Sequence, residues 1–335
     1  LPLGYYDIFA IANYKNIPDD IDTEDQLLAL TDSVSYSDGI MSTLSDEGAI
    51  MSSCASENLR QDFTNKVNNH VFIEVNMERV VAKVVLGKAK DIFELSHDGE
   101  AYAYVNLTNY KFVNLNTCFY LFRHKARLER FEQPSEYVLP YNFAPDSGAD
   151  DEYVIDPLFF RKDGSQASLS YLRSVYKHYY SDTLLADFAP FPSSGKYGTA
   201  YILENCAYRT QQNGGTLTGI VFKASVNPSC VYVYDERFGD FIRETRPEMF
   251  ERTLYLYGYK FYNTIRDVNR VSGLHLDELK SYTDEELDNY GIKQVIYYMG
   301  VYQTFYTYWI THSEDSDAMR YGIVRNNFYR LMVSS

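Results

Sequence analysis

The 335-residue chain has little basic charge, little cysteine, a single tryptophan and no long apolar run. Lys and Arg number 31 against 46 Asp and Glu, a net charge of −15. Such a surface repels nucleic-acid phosphates and anionic lipid headgroups, so neither is expected as a partner. No apolar stretch is long enough to span a bilayer. The four cysteines are Cys54, Cys118, Cys206 and Cys230, and no two have C-x-x-C spacing. That excludes the usual zinc and thioredoxin-like patterns. Cys206 with Cys230, or Cys54 with Cys118, are the open pairings. A chain this long needs no staple, so buried free thiols are expected.

The signatures of catalysis are also missing. His70, His97, His124, His178, His275 and His312 are scattered, and none forms an H-x-x-H or H-E-x-x-H pair. There is no G-x-S-x-G elbow, no P-loop and no dinucleotide glycine pattern. Gly214-Gly215 follows Gln-Gln-Asn and reads as a hairpin turn. Two acidic clusters, Asp146 with Asp150, Asp151 and Glu152, and Glu314 with Asp315 and Asp317, offer oxygens for calcium. Neither has EF-hand spacing, and both read as solvated loops. A glycosidase carboxylate pair stays open only because so many acids place some together by chance. The expectation is no enzyme, no cofactor and no metal.

What is abundant is tyrosine, 33 residues against one tryptophan. Tyrosine favours strands and half-wet faces, because its ring packs while its hydroxyl reaches water. The chain therefore reads as mostly β, with large exposed sheet faces. Lectin surfaces share this composition, so sugar binding stays open, with exposed tyrosines and Trp309 as stacking platforms. Trp309 lies in an alternating strand, which favours burial instead.

Length suggests two domains. Alternation marks strands at Tyr5–Ala12 and at 70–86, with a bend near Met77–Arg79, and then at about 100–107 and 110–122. A short helix is expected near Leu27–Leu30. Residues 139–153 carry two prolines, a glycine and a run of acids, the composition of a linker. The domains are placed at 1–140 and 150–335. The second half predicts a helix near 168–187 from Leu169, Leu172, Val175, Tyr176 and Tyr179. Strands follow at about 199–208, 216–226, 231–234 and 252–262. A helix is predicted over 275–290, with a Thr283/Glu286 capping box and a stop at Gly291. Strands near 293–299, 304–311 and 321–333 complete the chain. Runs of strand with few helices between them argue for sandwiches.

Five segments resemble the Bacteroidales fimbrillins, the major and minor subunits of type V pili. They are LGYYDIFAIANY (Leu3–Tyr14), MERVVAKVVL (Met77–Leu86), YKFVNLNTCFYLF (Tyr110–Phe122), GTAYILENCAYRTQQNGGTLTGIVFKASVNP (Gly198–Pro228) and YTYWITHSEDSDAMRYGIVRNNFYRLMVSS (Tyr306–Ser335). The last, with YWI upstream of IVRNN, is the most specific. The resemblance implies two tandem transthyretin-like β-sandwich domains, with short helical insertions in the second. It implies an exported lipoprotein precursor, anchored to the membrane only through its lipid. Protease removal of an N-terminal strand would leave a groove that a strand of the next subunit fills. The location would be extracellular, on a fimbrium at the outer-membrane surface. Partners would be other fimbrial subunits and host or bacterial surface glycans or proteins. A chain opening on a strand agrees with a trimmed N-terminus, whereas relatives usually run on past Val-Ser-Ser.

The candidate subunit contacts are Tyr6, Ile8 and Ala10 near the start, and Ile323, Arg325 and Tyr329 near the end. Gly322–Val333 also reads as an internal strand, its Arg325-Asn326-Asn327 run bonding to a neighbouring loop. A glycan-binding surface lipoprotein that does not polymerise is the alternative function.

Overall fold

A computed structural model describes residues 4–37, 40–41, 48–53, 60–64, 72–127, 152–158, 167–180, 187–205, 214–312 and 320–334. Among the described residues 46% are strand and 11% helix, so the chain is mostly β. The principal strands are β1 (Val81–Lys88), β2 (Phe93–His97), β3 (Glu100–Val113), β4 (Gly198–Leu203), β5 (Gly219–Pro228), β6 (Val231–Asp235), β7 (Asp240–Glu244), β8 (Thr253–Tyr257), β9 (Lys260–Tyr262), β10 (Lys293–Tyr298), β11 (Val301–Trp309) and β12 (Phe328–Val333).

Nine of these form one large sheet in the order β2-β3-β5-β11-β10-β8-β9-β6-β7, with Ala189–Pro190 added beside β3. The remaining three form a small sheet, β4-β1-β12, in which β12 runs parallel to β1. The two sheets pack face to face over one core. Ala82, Val84 and Leu86 of β1 and Ile202 of β4 meet Val105 of β3, Ile220 and Ala224 of β5 and Val295 of β10. Alternation accounts for this: β1 has a buried side chain at every second position, as a half-covered strand must.

Strands from either side of 140–150 share this sheet and core. β3 and β5 pair antiparallel from Ala103↔Pro228 to Val113↔Gly219, with one bulge between Leu107 and Asn109. Where strands were expected at 100–107 and 110–122, one 14-residue strand carries that bulge and ends at Val113, and Cys118–Tyr120 forms a separate short strand paired with Thr31–Ser33. Of the strand expected at 70–86, residues 72–76 are not strand, and the bend expected near Met77–Arg79 falls at Val80. Met77–Arg79 pairs with Met51–Ser53, and β1 then turns to other partners.

Tight turns divide the other strands. Asp98-Gly99, Gly258-Tyr259 and Met299-Gly300 all have positive φ at both positions. This is the primed geometry whose twist matches two-residue hairpins. The Gly258-Tyr259 turn splits the strand expected at 252–262 into β8 and β9. Gly219 answers a different need: a Cβ there would lie 2.5 Å from Cε3 of Trp309. Only glycine lets the indole lie against β5.

The helices are shorter than helical spacing alone suggests. Leu169–Val175 starts on Ser168 and ends at Tyr176. Asp284–Asp288 replaces the longer helix expected over 275–290. Its capping box is reciprocal, Thr283 N–H to Glu286 at 2.9 Å and Glu286 N–H to Thr283 at 3.2 Å, and Gly291 stops the turn at φ 70. The early helix, Glu24–Leu28, begins nearer the acids than expected, capped by Thr23 and Gln26. Ile265–Ser272 went unmarked in the sequence, although Thr264 caps it and Gly273 closes it at φ 69. With Leu287 and Ile292 it covers one face of β8 and β9.

Candidate functional site

The family-like motifs converge at one buried junction. Glu204 and Asn205 follow β4, and Ile323 to Asn327 precede β12. Arg325 is fully buried, and Glu204 is 3% exposed. Arg325 Nε donates to Glu204 at 2.8 Å, and the Arg325 backbone N–H donates to the same carboxylate at 3.1 Å. The other guanidinium nitrogens donate to the carbonyls of Leu121 (3.0 Å) and Tyr120 (2.7 Å). A planar fork fits this set of acceptors, and lysine would not. Arg123 also reaches Glu204, at 3.8 Å, and is ion-paired with Glu78.

Asparagines extend the network. Asn116 donates to the Glu204 carbonyl at 2.6 Å, and Asn205 donates to the Asn114 carbonyl at 3.1 Å. Asn205 and Ile323 exchange backbone hydrogen bonds at 3.2 and 2.6 Å. The junction thus ties three distant segments, 114–123, 204–205 and 323–327, by groups that would be costly to bury unpaired. His124 lies beside it, stacked on Tyr120 and hydrogen-bonded through Nε2 to the Leu28 carbonyl at 2.8 Å. Burial pushes its pKa down to about 4, so the imidazole is neutral at physiological pH.

From this anchor the chain leaves as β12, the outer strand of the small sheet. Asn327 and Val333 carbonyls accept from Lys83 and Ala89 at 2.9 Å each. In a parallel ladder, alternate residues turn their backbone groups to opposite sides. Residues 327, 329, 331 and 333 therefore face β1, and Phe328, Arg330 and Met332 present their N–H and C=O groups outward. Among the described residues no strand pairs with that outer side. Phe328 is 59% and Met332 38% exposed, while Tyr329 is buried. The Tyr329 hydroxyl meets His312 Nδ1 at 2.8 Å and accepts from the Val324 N–H at 3.0 Å.

The structure does not bring the six candidate contacts together. Tyr6 lies on Tyr5–Asp7, a two-stranded ribbon with Arg60–Asp62, its ring edge-on to Phe63. Ile8 follows that strand, half-buried, and Ala10 is bonded to Ser53, whose N–H donates to its carbonyl at 2.8 Å. Ile323, Arg325 and Tyr329 are interior, their polar groups engaged within the chain. The feature missed from sequence is the outward backbone edge of Phe328, Arg330 and Met332, for which side-chain alternation gives no signal.

The other candidate sites are placed as follows. Trp309 is half-buried and edge-on to Tyr180, ring centres 5.1 Å apart. Gly214-Gly215 lies in a turn. Cys118 and Cys230 are free thiols, and burial raises the Cys118 pKa to about 11. Cys54, Cys206, most of the 139–153 linker, Asp146, Asp150, Asp151, Glu314, Asp315 and Asp317 lie outside the described residues. Glu152 is in a strand, opposite Arg127. Among the described residues no cluster of three His, Cys, Asp or Glu could hold a metal, and no helix is long and apolar enough to cross a membrane.

No protein-family model and no curated protein matches the chain. Among solved structures, the chain is similar to a candidate cell adhesion protein from Parabacteroides distasonis ATCC 8503. Identity is 12% and the TM-score 0.30, over 74% of this chain and 64% of that one, just under two thirds of its length. A second candidate cell adhesion protein, from Bacteroides eggerthii DSM 20697, has 12% identity and a TM-score of 0.29, over 96% of this chain and 79% of that one. Likenesses this slight carry no argument about fold or function.

Proposed function

We propose that the chain is a structural subunit of an extracellular fimbria serving adhesion, joined to its neighbours by strand exchange. The observation that carries the reading is the outward edge of β12. Three residues turn their backbone groups away from the sheet, beside the exposed Phe328 and Met332. A row of unpaired donors and acceptors is a template for another strand, and β-augmentation satisfies it. A donated strand that buries four or five apolar side chains gains roughly 6–15 kcal/mol gross, at ~1.5–3 kcal/mol each. Such a contact is head-to-tail and generates a filament rather than a closed ring.

The five resembling segments support the reading by their order along the chain. In this proposal the two transthyretin-like halves are not strung as separate units but are merged through the pairing of β3 with β5. The precursor is a lipoprotein, trimmed at the cell surface, and the protein has no catalytic role.

The test is assembly. The precursor, purified and cleaved by limited proteolysis, is viewed by negative-stain electron microscopy. Filaments that form only after cleavage are the expected result. Persistent monomers under all cleavage conditions would overturn the proposal.

A further inference from the structure

The large sheet curls until its first and seventh strands meet. The turn after β2 faces the turn between β8 and β9: the His97 and Tyr259 rings stack there, and Tyr102 of β3 lies 6.5 Å from Phe261 of β9, centre to centre. A cleft of about 320 Å³ opens there, within the range of small-ligand sites and at the mouth of a closing sheet, a common place for them.

Its most unusual feature is Tyr259, held at φ 63 in the turn. A bulky residue adopts that conformation only at a cost that glycine would avoid. The ring lies flat on His97, centres 3.9 Å and planes 13° apart, and Tyr259 remains 52% exposed. Tyr102 stands at 5.9 Å as a second wall. Strain kept at an exposed turn, in a side chain that lines a cleft, points to use.

The charges are balanced. Asp98 and Glu100 line the cleft, and so do Arg243 and Lys260. Two carboxylates against two cations give a locally neutral site on a chain of net charge −15. Lys260 Nζ sits 4.9 Å over the Tyr232 ring, and Arg243 stands exposed at the edge of the cleft. A phosphate or carboxylate ligand would meet the two acids. A ligand with an apolar face and a rim of hydroxyls suits every wall. Its C–H face packs on tyrosine, and each hydroxyl donates to a carboxylate and accepts from Arg or Lys.

We infer that this cleft binds a neutral saccharide of one or two pyranose rings, lying on Tyr259 and Tyr102 with hydroxyls between Glu100 and Arg243. The inference stands apart from strand exchange, since the cleft lies on the large sheet and β12 on the small one.

Saturation-transfer NMR on the purified chain, with lactose, maltose, cellobiose and chitobiose, tests it. Sialyllactose serves as the charged comparison. Tyr259→Gly removes the platform while relaxing the turn, and Arg243→Gln removes the exposed cation. Thermal unfolding checks that both variants fold. At least one neutral disaccharide should bind, and each variant should weaken it about tenfold. No binding of any neutral sugar would overturn the inference. So would wild-type affinity in either variant, or binding of sialyllactose alone.

Discussion

Two stretches of the C-terminal segment lie three residues apart and behave oppositely. Ile323 to Arg325 is interior, and the charged groups of Arg325 are engaged by Glu204 and two carbonyls. Phe328 to Val333 is a sheet edge whose alternate backbone groups face outward. The first stretch holds the chain together, and the second is where the proposed function has another chain pair. A motif that looks like a signature of function can thus be structural, while the proposed function falls on the plainer strand beside it. The comparison also separates two kinds of mutation, those that unfold and those that leave a folded but solitary molecule.

The sharpest way to break it is at the anchor. Arg325→Ala leaves Glu204 buried without its main partner, which costs about 3–5 kcal/mol. The chemical-denaturation midpoint should fall sharply, and Arg325→Lys should recover only part of the loss because its ammonium cannot span Glu204 and both carbonyls. A variant as stable as wild type would show that the junction is not what ties 114–123 to 323–327.

Acid should act on the same region. The folded pKa of His124, about 4, lies below its unfolded value of 6.5. The unfolded chain then binds more protons between those values. Stability is fully present above about pH 6.5 and is lost as pH falls toward 4, by about 3 kcal/mol at most. Urea titrations of wild type and His124→Gln across this window should differ in slope, with the variant flatter. Equal slopes would remove His124 from the account.

A smaller effect is expected at Gly219→Ala, where the new Cβ meets Trp309. Overpacking of this kind costs about 1–3 kcal/mol. Trp309 is the sole tryptophan, so its fluorescence should report the shift directly. The smallest stability change belongs to the edge. Phe328→Lys is a surface substitution, worth about 0.5 kcal/mol or less, yet a charge on an edge strand opposes pairing. It should leave the melting temperature nearly unchanged and reduce assembly.

Much of this was legible in the sequence where local chemistry decides. The Thr283/Glu286 box and the Gly291 stop form as written, and β1 and β11 follow their alternation. Helix Ile265–Ser272 escaped because its apolar positions are few, although Thr264 and Gly273 mark its ends. The split of β8 from β9 escaped because a tyrosine occupies a turn position that glycine usually signals. Pairing of β3 with β5 lies over a hundred residues apart in the chain, beyond any local rule. The buried role of Arg325 was half legible: Arg-Asn-Asn reads as a polar run in contact with a loop, but nothing local names Glu204 as its partner. The β12 edge was illegible because side-chain pattern reports faces, and an edge is a property of the sheet plane.

The most direct test of the central claim is Arg330→Pro. Its N–H faces outward, so proline removes one edge donor while leaving the bonds to β1 in place. Wild-type and variant precursors are cleaved in parallel, and filament mass is measured by sedimentation with microscopy. The account predicts a folded variant with the wild-type melting temperature and few or no filaments. Filaments in wild-type yield from a folded Arg330→Pro chain would contradict it.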